Sequence, residues 1–175
     1  MFKPLMNYLT DHIFKFRENN EWVHKTTDDL FKDKKIAMFG LPGAFTPTCS
    51  NQQLPGYEKR YNELIDLGIN DVYCMSVNDA FVMNAWADNL KITKVKLIPD
   101  GDGVFTRSLG MLVDKPVQGF GFRSWRYSCI ITNKFIKSQW IEEGFNNLSN
   151  DEDPFEISDV ATMINSNTPV ISYLE

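Results

Sequence analysis

Phe14 and Phe16 alternate with Lys15 and Arg17, Glu18-Asn19-Asn20-Glu21 breaks the alternation, and Trp22-Val23-His24 resumes it. That pattern predicts a β-hairpin over residues 12–26. Thr26 or Thr27 then caps a short helix at about 27–31, with Asp28 and Asp29 in its first turn. Lys35 to Phe39 is an apolar run of strand length, Gly40 to Ala44 is a Gly/Pro loop, and helical spacing starts after Thr46. In that helix Tyr57, Tyr61 and Leu64 recur at i, i+4, i+7, and Gly68 stops it. Pro55 has no N–H for the carbonyl of Asn51, so the first turn and a half is expected to kink and to unwind more easily than the rest.

Strand and helix keep alternating. Asp71 to Val77 reads as a strand, and Asn78 or Asp79 caps a helix whose Phe81, Val82, Ala85 and Trp86 share a face. Lys94 to Ile98 is a third strand, Asp100 to Gly103 a turn and Val104 to Leu109 a short helix. A loop runs to Gly121, a hairpin joins Tyr127–Ile131 to Phe135–Ile141, and Ser158 opens a last helix with Val160, Met163 and Ile164 inward. Alternation in the middle with hairpins at both ends implies an α/β fold, a mixed sheet flanked by helices.

Composition narrows this little. A chain of 175 residues, 43% hydrophobic and 13% aromatic, supports one well-buried core, so a single domain over 1–175 is expected. Net charge −5 without a basic patch argues against nucleic acid or an anionic membrane surface as partner. No run approaches the roughly 18 apolar residues of a membrane helix, and the N-terminus lacks the pattern of a secretory signal. Three widely spaced cysteines, 49, 74 and 129, point to a reducing compartment, with the cytoplasm as the expected location.

The candidate chemistry sits at Cys49. The strand, loop and helix order places it in a first helical turn, where free N–H groups and the helix dipole stabilise thiolate over thiol. An inert core thiol is the competing reading. The only histidines, His12 and His24, both lie in the first hairpin, which disfavours a Cys/His protease. Ser50-Asn51-Gln52 follows Cys49, so no CxxC exchange motif is present, and three distant cysteines do not form a zinc site. A thiolate stabilised by donors and a cation remains, suited to direct attack on a weak O–O bond. Arg126 and Arg123 are the candidate cations. If Arg126 shares a strand face with Ser128 and Ile130, then Tyr127, Cys129 and Ile131 share the other.

Pro42-Gly43-Ala44-Phe45-Thr46-Pro47-Thr48-Cys49 contains PxxxTxxC and resembles the active-site signature of peroxiredoxins, in particular their type II, or class five, branch. The likeness continues through Leu54-Pro55-Gly56-Tyr57, Ser76-Val77-Asn78-Asp79, Arg123-Ser124-Trp125-Arg126-Tyr127 and Pro154-Phe155-Glu156-Ile157. It implies a thioredoxin fold with an N-terminal β-hairpin and a thiol-dependent peroxidase that acts on hydrogen peroxide and alkyl hydroperoxides without metal or other cofactor. By the same resemblance Cys49 becomes a sulfenic acid, Pro42 shields its sulfur, Thr46 Oγ1 and the Cys49 N–H hold the peroxide oxygens, and Arg126 supplies the charge. It also implies a homodimer lined by some of Trp86, Phe120, Phe122 and Trp125. Several relatives have histidine where Gln53 stands; glutamine can donate a hydrogen bond but carries no proton.

Regeneration is less determined by sequence. Cys74 is the candidate resolving residue, with a buried packing role as the alternative; one-cysteine chemistry with glutathione and glutaredoxin ranks ahead, and thioredoxin is a further reductant. The tail Asp153-Pro154-Phe155-Glu156 also resembles bacterial members fused to glutaredoxin. From another functional class, a non-catalytic thioredoxin-fold binding or chaperone module shares the fold. Gly119 to Ser124 lacks the third glycine of a dinucleotide loop, Asp100 to Gly103 lacks the later ligands of a calcium loop, and Asp151 to Asp153 reads as a solvated loop.

Overall fold

The computed structural model describes residues 7–145 and 152–167. Strands β1 (Ile13–Glu18) and β2 (Glu21–Thr26) pair antiparallel around Asn19 and Asn20, whose φ angles of 50° and 64° are those a two-residue hairpin turn requires. Helix α1 (Thr27–Phe31) is capped by Thr26, whose Oγ1 accepts from the Asp29 N–H at 3.1 Å, while Asp29 Oδ2 accepts from the Thr26 N–H at 2.7 Å.

Strand β3 (Lys35–Leu41) leads into helices α2 (Leu54–Lys59) and α3 (Tyr61–Asp66), then β4 (Asp71–Ser76), α4 (Ala80–Leu90), β5 (Lys96–Pro99) and α5 (Val104–Ser108). Two hairpins follow, β6 (Leu112–Lys115) with β7 (Gly121–Ser124) and β8 (Tyr127–Thr132) with β9 (Phe135–Ile141), and α6 (Val160–Asn167) ends the described chain. The main sheet has the order β5-β4-β3-β8-β9, parallel among β3, β4 and β5 and antiparallel at β8 and β9. The mixed, helix-flanked sheet expected from sequence is present.

Side chains alternate across this sheet and build two cores. Ile36, Met38, Tyr73, Met75, Cys129 and Ile131 point to the face covered by α1 and α5. Ala37, Phe39, Val72, Cys74 and Ile130 point to the face covered by the α2–α3 stretch, α4 and α6. Burial on both faces is why Asp71 to Ser76 reads as nearly continuous apolar sequence. Among the described residues no helix is long and apolar enough to cross a membrane.

Three local expectations are corrected. The buried face of α4 is Ala80, Met83 and Trp86, not Phe81, Val82 and Ala85. Phe81 instead stays 58% exposed, its ring 5.6 Å from that of Trp22, with the Arg17 guanidinium over both. The stretch read as a loop to Gly121 contains the β6–β7 hairpin. Ser158 does not cap the last helix: Asp159 Oδ1 takes the Thr162 N–H at 3.0 Å, and Ser158 turns inward.

The helix after Cys49 is irregular just before Pro55 but does not break there: Gln53 and Leu54 keep right-handed helical backbone angles. Residues Cys49–Gln53 form a π turn in which the Leu54 N–H reaches back to the Cys49 carbonyl, next to the Asn51 carbonyl that Pro55 leaves without a donor. The break comes at Arg60 (φ −100°, ψ 16°), which separates α2 from α3.

Gly40, near the end of β3, has no room for a side chain: a Cβ there would lie 2.2 Å from Tyr127 Cε1. Tyr127 is fully buried and cannot retreat. Gly40→Ala should therefore cost about 3 kcal/mol or more, read as a lower midpoint in urea unfolding.

Candidate active site

Leu41 closes β3, and the chain leaves the sheet through a folded loop. The Thr46 N–H and Oγ1 both donate to the Gly43 carbonyl, at 3.4 and 2.8 Å. The Ala44 N–H donates to Asn78 Oδ1 at 2.9 Å, which also accepts from Ser76 Oγ at 2.6 Å. This settles the two cap candidates: Asp79 Oδ1 takes the Val82 N–H and caps α4, leaving Asn78 to hold the loop. Phe45 has φ 65°, a costly left-handed conformation for a bulky side chain that these bonds impose.

Cys49 begins the π turn fully buried, in one cluster with Phe39, Leu41, Leu54, Tyr57 and Cys74. Its sulfur meets a cation from the other side of the sheet strand order. Arg126 directly precedes β8, and the same alternation that sends Cys129 to the opposite core sends Arg126 towards Cys49. Arg126 is 1% exposed, and its Nη1 lies 3.5 Å from Cys49 Sγ. Nη1 also donates to Gln53 Oε1 at 2.6 Å, and Nη2 pairs with Asp153. The Phe155 ring centroid lies 5.6 Å from Cζ, and Nε is buried without a partner among the described residues. Arg123, the other candidate, lies near enough to interact electrostatically with Cys49 but spends its hydrogen bonds on the backbone: Nε donates to the Phe120 carbonyl at 3.2 Å and Nη1 to the buried Pro42 at its carbonyl, 3.4 Å away.

The other two thiols are also fully buried, Cys74 in the same cluster as Cys49 and Cys129 in the opposite core. Burial pushes the Cys74 thiol well above the usual range, and negative charge on Cys49 pushes it in the same direction, partly offset by Arg126. Burial alone raises Cys129.

The structure brings Cys49 and Arg126 together and leaves Thr46 in the preceding loop, its Oγ1 on the Gly43 carbonyl; sequence reasoning missed what surrounds the guanidinium. Asp153 is exposed and lies in a loop, as the sequence suggests, but it is also the ion-pair partner of Arg126, while Asp151 lies outside the described residues. Gln53 was expected as a donor; towards Arg126 it is an acceptor, and its Nε2 donates to Ser158 Oγ at 3.5 Å. Glu142 is buried, and its Oε1 accepts from the N–H groups of Glu156, Ile157 and Ser158 (3.0, 3.0 and 2.8 Å) and from Ser158 Oγ (2.7 Å). The Glu142 N–H also donates to the Arg126 carbonyl at 3.2 Å. No periodicity marks these residues. Of the aromatics read as core or interface, Trp86 and Trp125 are buried, Phe120 is half-buried and Phe122 is 60% exposed.

The Redoxin family model matches residues 14–156. The chain is 53% identical over 134 residues to peroxiredoxin y4vD of Sinorhizobium fredii, covering 77% of this chain and 71% of that one. It is 46% identical over 155 residues to the hybrid peroxiredoxin hyPrx5 of Haemophilus influenzae, covering 86% of this chain and 61% of that longer one. Among solved structures, reduced Prx3 of Vibrio vulnificus in complex with hydrogen peroxide superposes with a TM-score of 0.83 at 32% identity, over 95% of this chain and 99% of that one. A thioredoxin-like sheet that holds a buried cysteine against a buried arginine thus coincides with relatedness over most of the chain. The chain belongs to the redoxin family as a peroxiredoxin, a thiol-dependent peroxidase that reduces a hydroperoxide at the expense of a thiol.

Proposed function

We propose that Cys49 is the peroxidatic cysteine and that Arg126, Thr46 and Pro42 complete its site, within one domain spanning residues 1–175. The observation that carries this reading is the 3.5 Å approach of a buried guanidinium to the Cys49 sulfur. A guanidinium there favours thiolate and stays in place to balance charge as the O–O bond breaks. Its open Nε supplies a donor for a substrate oxygen, alongside the Cys49 N–H and Thr46 Oγ1. The thiolate attacks one peroxide oxygen, the S–O bond forms as O–O breaks, and the leaving oxygen takes a proton and departs as water or an alcohol. Pro42 is the residue proposed to shield the sulfur. A non-catalytic module would gain nothing from a buried cation held against a thiol, which costs desolvation.

The proposed substrates are hydrogen peroxide and small alkyl hydroperoxides, and the proposed reductant is glutathione with glutaredoxin, ahead of thioredoxin. Support comes from Cys74: the resolving attack needs a thiolate, and burial holds Cys74 in the thiol form. Sharing an apolar cluster with Cys49 is the one observation that favours Cys74 as the resolving partner instead. Mass spectrometry decides between them. Protein treated with peroxide and then glutathione should carry one glutathione on Cys49 with Cys74 free, whereas a Cys49–Cys74 disulfide as the main product would overturn the one-cysteine reading.

A homodimer in the cytoplasm completes the proposal. Phe45 and Phe122 are more than half exposed, on the active-site loop and on β7, which Arg123 ties together through the Pro42 carbonyl. Exposed apolar residues grouped beside a site favour association there.

A further inference from the structure

Arg126 is a buried cation whose natural partner disappears during turnover. In the proposed reaction the attacking Cys49 thiolate, 3.5 Å from Nη1, balances it. After reaction, thiolate plus hydroperoxide plus a proton has become sulfenic acid plus water or alcohol, the sulfur has given two electrons to the peroxide bond, and Cys49 is neutral. A buried charge left without its counter-ion is strongly destabilising. The guanidinium would then tend to leave, and the site would have to be rebuilt before the next cycle.

The structure assigns Asp153 the role of standing counter-ion: it keeps Arg126 buried and aimed at position 49 while Cys49 carries no charge. Three observations support this, given the reading of Cys49 and Arg126 as the reacting pair. First, the two partners use opposite ends of the guanidinium: Nη1 serves Cys49 and Gln53, and Nη2 serves Asp153, so neither displaces the other. Second, Asp153 is a fixed anion on a held segment. Residues 156–158 are tied to buried Glu142, the Ser158 carbonyl accepts from Tyr57 Oη at 2.9 Å, and the Glu152 carbonyl accepts from Lys115 Nζ at 2.7 Å. Third, Asp153 is the only carboxylate paired with Arg126 among the described residues, while Gln53 supplies only a neutral oxygen. Asp153 is thus a positioning residue. Its own side chain is 42% exposed, so water can solvate it while it holds a cation that water does not reach.

The charge at position 49 should therefore set how much Asp153 matters. A double-mutant cycle compares wild type, Asp153→Asn, Cys49→Ser and the double variant by thermal unfolding of the reduced protein. With cysteine at position 49, Asp153→Asn should lower Tm by about 2 °C; with serine there, by roughly 6 °C. Asp153→Glu should restore most of the loss in the Cys49→Ser background. A double variant that fails to fold while each single variant folds is the extreme of the same coupling. Equal losses in the two backgrounds, or a larger loss with cysteine present, would overturn the proposal. The cycle needs no peroxide, so its failure is distinct from failure of the catalytic assignment, which a peroxidase-active Cys49→Ser variant would reveal.

Discussion

Cys49→Ser should lower peroxidase activity by at least about three orders of magnitude while leaving the fold intact. Serine fits the space, but its hydroxyl stays protonated near neutral pH, and the group that reaches the position 49 side chain is the Arg126 guanidinium rather than a base. His12 packs its ring against Phe14 and Phe105, in the core on the opposite face of the sheet from Cys49. Arg126 can stabilise an anion but cannot take a proton. Initial rates of peroxide consumption with a glutathione and glutaredoxin system measure the loss, and circular dichroism checks the fold. Activity within tenfold of wild type would remove Cys49 from the mechanism.

Arg126→Gln is expected to slow the reaction with hydroperoxide by about a hundredfold or more, the usual cost of removing a preorganised group from developing charge. Arg126→Lys should not rescue it. A lysine amine has one centre where the guanidinium spans Cys49 and Gln53 at one end and Asp153 at the other. Stability should fall modestly, by about 1–3 kcal/mol, because the buried Gln53 Oε1 loses its donor. Arg123→Gln is the control, since its guanidinium serves the Pro42 and Phe120 carbonyls and not the sulfur. If Arg123→Gln loses the activity and Arg126→Gln keeps it, the two roles are exchanged.

Features governed by neighbouring residues were legible in the sequence. Asn19-Asn20 and Asn133-Lys134 both adopt the positive φ pair of a tight turn, and each hairpin formed where those residues stand. Pro55 located the irregular turn after Cys49 because a missing N–H acts locally. The period of two along β8 was enough to send Arg126 and Cys129 to opposite faces. What stayed hidden depends on contacts distant in sequence. Phe81 looks like a core residue until it is seen on the surface beside Trp22 and Arg17, far earlier in the chain. Asp153 sits in an acidic run that ordinarily stays in water, and only the anchoring of its segment by Glu142 brings it to Arg126. Glu142 itself gives no local sign, because in the pair Glu142-Glu143 after a strand nothing distinguishes the buried glutamate from a surface charge until its hydrogen bonds are known. The β6–β7 hairpin was obscured by Pro116 and Gly119, which mark a turn without revealing that short strands flank it.

The central claim is that Cys49, held against Arg126, reacts directly with hydroperoxide. Trp86 is a natural reporter, since its indole N–H donates to Ser50 Oγ, beside the reacting sulfur, at 3.0 Å. Reduced protein mixed with stoichiometric hydrogen peroxide in a stopped-flow instrument should show a tryptophan fluorescence change far faster than the oxidation of free cysteine, and absent in Cys49→Ser. Oxidation of Cys49 no faster than that of free cysteine would contradict the account.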